Sequence, residues 1–516
     1  MQKKFAYGCL SILAATALLT ACSDDDTNND NGNGSDVAYV WTTDGGLKAC
    51  DHLTFNADGT ENGEGTQIGN GDAEFVFTGK QTLKRGTYTL KGWVYIADGA
   101  ELTIEPGTVI KGDKQSKASL IVERGGKLYA QGSQTAPIVF TSAAKAGERR
   151  PGDWGGLIIC GKALNNQAEM QIEGGPRSKH GGQETADNSG VLSYVRIEFA
   201  GYPFNPDQEI NGLTLGSVGS ATKIDHVQVS YSNDDSYEWF GGNVNCKYLV
   251  AFHGWDDDFD TDNGYSGSVQ YGLSVRNARI ADKSQSNGFE SDNNASGSNA
   301  TPYTTATFSN MTFVGPALQD GVQFENTTDF INGGEYNPNN GSALGRFQAS
   351  MHLRRSSRLN VINSVAAGWP IGLILDGEKG DTPKQAEAGV MRFHNNVMAQ
   401  MGILGSDANK VYDDVLYDAA GKSVIDEKQC SFSSTFFRTA TLHNQYFETA
   451  AALGLTDGGG VGSPYMPAVG SPLLTSASFD GETSAWLEAV SYVGAFRAGD
   501  NWMEGWTNFD PQHADY

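Results

Sequence analysis

From about residue 90 onward the chain is written as short apolar strands punctuated by glycine, asparagine and aspartate, and this pattern leaves few folds open. Trp93-Val94-Tyr95-Ile96, Leu102-Thr103-Ile104, Thr108-Val109-Ile110, Leu120-Ile121-Val122 and Ile138-Val139-Phe140 are rich in β-branched and aromatic residues. Turn-forming runs such as Ala97-Asp98-Gly99-Ala100 and Glu105-Pro106-Gly107 separate them. Amphipathic helix text is nearly absent; the best short stretches lie near Thr449 to Leu453 and Ser484 to Val490. The strands recur at intervals of about twenty residues, as in Val195-Arg196-Ile197, Leu213-Thr214-Leu215 and Val227-Gln228-Val229. One such unit cannot bury its apolar face alone, but stacked units share one continuous core. The expected fold is therefore all-β, a right-handed parallel β-helix, since parallel crossovers are right-handed. A β-propeller or a pair of β-sandwiches is the alternative; a propeller needs a period of about forty and a blade signature, and neither occurs.

The stacking is visible in one region. Asp235-Ser236-Tyr237-Glu238 aligns with Asp257-Asp258-Phe259-Asp260, with Asn287-Gly288-Phe289-Glu290 and, more loosely, with Asp320-Gly321-Val322-Gln323. The offsets are 259 − 237 = 22, 289 − 259 = 30 and 322 − 289 = 33, a constant rung with loops of varying length. Strand alternation then places Tyr237, Phe259, Phe289 and Val322 inward, with Asp235, Asp257, Asn287 and Asp320 flanking them on the outside. Glu238, Asp260 and Glu290 form a second outward column, with rungs about 4.8 Å apart.

Carboxylates stacked so closely repel one another unless cations, hydrogen bonds or shared protons offset the repulsion. Calcium takes six to eight oxygen ligands and answers this need. The predicted ligands are Asp235, Glu238, Asp257, Asp258, Asp260, Asp262, Glu290 and Asp292, within a cluster that also holds Asp234 and Asp256. Asp258-Phe259-Asp260-Thr261-Asp262-Asn263-Gly264 follows a D-x-D-x-D calcium pattern but departs from an EF-hand: its glycine comes one place late and Val269 stands at the twelfth position. Solvated aspartate turns closed by their own hydrogen bonds are the plainer reading. A hydrolase or lyase with acid and base on a flat outer face is another, with His253 nearby and the Arg354-Arg355 pair two or more rungs later. Fold alone does not license that activity. A third reading is ligand binding without chemistry. Tyr202, Phe204, Trp239 and Trp255 are candidates for stacking on sugar rings, and Trp239, Trp255 and Arg354 make up the predicted ligand-binding set. The inserted loops at 165–190, 281–306 and 326–350 are the expected variable edges.

The formal charge of −25 argues against nucleic acid as a partner. Lys3 and Lys4 precede an apolar run, Phe5 to Leu19, too short to span a bilayer comfortably. The run ends in Leu19-Thr20-Ala21-Cys22, which resembles the processing site of bacterial lipoproteins. Residues 1–21 then read as a signal peptide, with Cys22 lipidated as the membrane attachment. Residues 22–36 read as a disordered Asp/Asn-rich tether whose Ser23-Asp24-Asp25-Asp26 resembles a surface-export signal of Bacteroidota lipoproteins. An open coil end is an unpaired sheet edge, so residues 37–90 and 431–516 are expected as caps around a coil at 91–430. Cys160 and Cys246 sit in strand text and read as buried apolar residues.

Gly152-Asp153-Trp154-Gly155-Gly156-Leu157-Ile158, Ser230-Tyr231-Ser232-Asn233-Asp234-Asp235-Ser236, Asp256-Asp257-Asp258-Phe259-Asp260-Thr261-Asp262 and the Gly-Ala-Phe to Trp-Thr-Asn-Phe ending together resemble a family of large secreted or lipid-anchored β-helix proteins. The family is found in Bacteroidota and some Proteobacteria. The resemblance implies a surface-exposed, outer-membrane location and brings no catalytic residues with it. The implied setting points to an extracellular ligand, a glycan or a nutrient passed to an outer-membrane transporter.

Overall fold

The computed structural model describes residues 39–41, 66–167, 169–174, 176–205, 208–332, 334, 337–338, 340, 342–407, 431–482 and 484–516. The signal peptide, Cys22 and the tether lie outside them. Strands run parallel in two long sheets, one of 12 strands and one of 17. Each turn of the coil lays a strand on the first sheet, bends, and lays strand on the second. Leu213–Gly216, Tyr237–Phe240 and Phe259–Asp262 are successive first-sheet strands, and Lys223–Ser230, Asn245–Phe252 and Ser268–Val275 follow them on the second. The chain is thus a right-handed parallel β-helix, as its repeats predict.

The core is a set of inward columns. Tyr237 pairs in register with Phe259, and Phe259 with Phe289. Their rings lie 5.3 and 5.9 Å apart, all fully buried. The next inward residue is Met351, not Val322, because Ala349–Leu353 is the following rung. Asp320 and Val322 sit in a loop. An Asp-Gly-Val-Gln turn and a strand are alike in so short a text, and only the register separates them.

The coil also starts before residue 91. Thr66–Ile68 pairs with Thr87–Leu90, and Phe75–Phe77 with Trp93–Ile96, both parallel. The described part of 37–90 is therefore rung rather than separate cap. Triplets such as Phe75-Val76-Phe77 are too short to show a period by themselves.

Second-sheet strands bend sharply at one residue per rung. Tyr194, His226, Tyr248, Tyr271, Asn310, Asn363 and Asn395 form this column, each with φ between 50 and 64°. Few non-glycine residues enter the left-handed region, and asparagine does so most readily. The rings stack: Tyr194 on His226 at 4.3 Å, His226 on Tyr248 at 4.5 Å, Tyr248 on Tyr271 at 5.1 Å.

Residues 476–516 run back along this flank from late rungs to early ones. Asn395 donates to the Ser476 carbonyl, Asn363 exchanges hydrogen bonds with Ser478, and Asn310 donates to Tyr492. Gln270 exchanges bonds with Glu488, and Gln228 with Asn508. Arg149 donates to the carbonyls of Pro511 and Ala514, and Lys111 to that of Tyr516. The expected cap on the last rungs is thus largely a strap along the side. Trp506, Phe496 and Met503 bury themselves there against Phe252 and Val275. Ser484 to Val490 forms no helix, while Ala450–Leu453 is a short 3-10 turn.

Candidate functional site

Outward positions of the first sheet alternate with the core columns. Glu238, Asp260, Glu290 and His352 stand in register on successive rungs. Two residues further along each strand, Asp262, Asp292 and Arg354 follow. The outward acids Glu238, Asp260 and Glu290 form the column that alternation predicts. At the strand starts, Asp235, Asp257 and Asn287 form a different ladder. Asp235 Oδ1 accepts from the Asp257 amide at 2.8 Å, Asp257 Oδ1 from the Asn287 amide at 2.5 Å, and Asn287 Oδ1 from the Ala349 amide at 3.0 Å. These residues are buried rather than exposed on the outside, because each side chain caps the backbone of the next rung.

Two groups bring carboxylate oxygens within 4.8 Å of one another: Asp235, Glu238 and Asp260, and Asp234, Asp235 and Asp256. Burial pushes the carboxyls of Asp235, Glu238, Asp256, Asp257 and Asp260 well above the usual carboxylate range, and neighbouring charges push further. Asp262 is raised to about 7 by burial and by the charge of Asp292. Donors are few. Asn211 donates to Glu238 and Ser284 to Asp256. Asp256 Oδ1 and Asp260 Oδ1 are out of solvent without a hydrogen-bond partner among the described residues. At the other end of the column the acids are paired: Arg354 with Glu290 and Asp292, and Arg355 with Asp292. His352 Nε2 lies 3.4 Å from Asp376 Oδ2.

The family model described as a pectate-lyase like beta helix domain matches residues 76–429. The chain belongs to this family. A solved structure, the Dettilon tailspike protein gp208, is 11% identical with a TM-score of 0.22, covering 74% of this chain and 62% of that one. The chain therefore spans less than two thirds of that tailspike, and a likeness so faint carries no argument. No curated protein matches the chain.

In this pectate-lyase-like β-helix the sequence-predicted residues divide. Asp235, Glu238 and Asp260 converge, with Asp257 beside them. Asp258 does not join: it is fully buried in an ion pair with Arg276 at 2.8 Å and also accepts from Ser274. It lies in the bend just before the strand Phe259–Asp262 and turns into the corner. Glu290 and Asp292 stand in or beside the column but are held by guanidinium groups. Arg354 sits among these acids, where it balances charge. Trp239 and Trp255 present no surface to a sugar. Trp239 is core, stacked 5.4 Å from Tyr265, and Trp255 is buried with its indole N–H on Asp282. Alternation along the strand puts Trp239 inward beside Tyr237, a signal present in the sequence. Asn211, His352 and Asp376 were missed. His352 is two places before Arg354, but the insertion between the rungs of Phe289 and Met351 hides that register.

Proposed function

We propose that the chain is a lipid-anchored, surface-exposed glycan-binding protein of the outer membrane whose acidic centre holds calcium. The single observation that carries the cation is the convergence of Asp235, Glu238 and Asp260 oxygens within 4.8 Å. The partnerless buried oxygens of Asp256 and Asp260 support it independently, because a buried acceptor without a donor is costly. Calcium suits an all-oxygen donor set better than zinc or copper. The family's description supports polysaccharide as the ligand class. The lipid anchor rests on Cys22 and the surface address on Ser23 to Asp26; delivery to an outer-membrane transporter is the matching partner reading.

Thermal unfolding with calcium and with a chelator tests the cation. The expected result is a Tm that rises with calcium, and a rise that disappears in Glu238→Gln/Asp260→Asn. An unchanged wild-type Tm removes calcium from the proposal.

A hydrolase or lyase is the second reading, favoured by carboxyls that burial and neighbouring charges raise, the direction in which general acids are tuned. Glu238 would then be the acid and Asp260 its partner. Reducing-end release or unsaturated products from a polysaccharide panel, lost in Glu238→Gln, would establish it. Full activity in that variant removes it.

A further inference from the structure

A cavity of about 540 Å³ lies on the early rungs, apart from the acidic cluster of the central rungs. That volume is within the roughly 300–1,000 Å³ of small-molecule sites. One wall is aromatic. Trp93, outward on the first sheet, meets Phe204 at 6.0 Å between ring centroids, and Tyr202 packs edge-on to Phe204 at 5.3 Å. All three side chains are half-buried, so part of each remains open. Exposed Asp72 also lines it, as do Ser116, Lys117 and Glu74, the last paired with Arg177. Two groups here lack expected partners. The Trp93 indole N–H makes no hydrogen bond to the described residues, and the Lys117 ammonium has no carboxylate among them. In a chain of net charge −25, Lys117 instead lies 5.1 and 5.6 Å over the rings of Tyr202 and Phe204.

Aromatic rings, a carboxylate, a free indole donor and an ammonium without a carboxylate partner, gathered in one cavity, suit a ligand with both an apolar face and hydroxyls. A pyranose ring has an apolar face of C–H groups that stacks on aromatic rings. Its rim of hydroxyls both donates and accepts. We propose that this cavity is a pyranose subsite, with Trp93 and Phe204 as the platform and Asp72 and Lys117 as hydroxyl partners. The proposal rests on the glycan reading above and extends it. From the strand of Trp93 to that of Glu238 is four ladder steps on the same sheet, about 19 Å at 4.8 Å per step. One extended glycan lying along the coil axis would reach both.

Saturation-transfer NMR on the full chain tests it, using methyl β-glucoside, methyl β-galactoside and methyl α-mannoside in the presence of a chelator. The expected result is transfer to the ring protons of at least one glycoside, reduced roughly tenfold in apparent affinity by Phe204→Ala, which removes one aromatic face. Lys117→Met weakens binding with the wall intact, and Trp93→Phe keeps a ring but removes the indole donor. Both are read alongside Phe204→Ala, so a poorly folded variant does not decide the matter. No transfer from any of the three glycosides, or transfer untouched in all three variants, overturns the subsite. Because chelator is present, failure of the calcium centre leaves this result standing. A calcium-dependent Tm with no glycoside binding removes the subsite and leaves the calcium centre standing.

Discussion

Two columns of side chains climb this molecule rung by rung, and they meet the same spacing with opposite chemistry. On the bend of the second sheet, rings stack on rings and then amides follow, Asn310, Asn363 and Asn395. An amide both donates and accepts, so each asparagine donates to the returning segment 476–516, and Asn363 also accepts from it. On the outer face of the first sheet, Glu238, Asp260 and Glu290 only accept when ionised. Arginine balances Glu290, while Asp260 and Asp256 keep oxygens without partners. A neutral, self-complementary ladder holds a fold together. An acidic ladder weakens it unless something else is bound, and this contrast is why the proposed site is put on the first sheet.

The largest loss of stability is expected where a buried acid is already balanced. Arg276→Met leaves Asp258 buried without its cation and is expected to cost about 3–5 kcal/mol, measured by denaturant unfolding. Adding Asp258→Asn should recover part of that loss. Next comes the unbalanced face. At a hundredfold excess over its Kd, calcium should add about 2.7 kcal/mol, absent in Glu238→Gln/Asp260→Asn. With chelator instead, the same double variant should be more stable than wild type, because repulsion is relieved.

The pH dependence sharpens this. Asp262 is raised from 3.8 to about 7, so its contribution is complete below about pH 4 and is lost as pH rises through 7. Asp235, Glu238, Asp257 and Asp260 are shifted in the same direction. The chelated protein should therefore melt at a higher temperature at pH 5 than at pH 8, and the calcium increment should grow with pH. An amide-ladder variant gives the smallest effect. Asn363→Gly keeps the left-handed bend but strands the partners in Ser478, for about 1–2 kcal/mol, and its loss should be indifferent to calcium.

Much of the fold was legible because a strand's period is two and a rung's period is about twenty; both survive in the text whatever the loops do. Tyr237, Phe259 and Phe289 were readable as one inward column, and Glu238, Asp260 and Glu290 as its outward neighbour. Legibility ended at the long insertions. The rung after Phe289 is Met351, and no pattern in the intervening residues announces it. Side-chain fate was also hidden where a bend intervenes. Asp258 and Asp260 look equivalent in sequence, yet one meets Arg276 in a corner and the other faces outward. Nothing in the residues near Asp258 names a partner on the following second-sheet strand. The strap at 476–516 read as a cap because its apolar residues are clear while its direction is not.

That strap changes how the stack should come apart. In a simple solenoid each rung touches only its neighbours, so ends can fray while the middle stays intact. Here Lys111 bonds to Tyr516 across 405 positions of sequence, and Asn395 bonds to Ser476 near the other end of the same segment. Early and late rungs thus share a single lace, and loosening either end means undoing it. A chain built as a series of nearest-neighbour units is expected to melt as one cooperative unit, with hydrogen exchange of the terminal rungs tied to that of the middle.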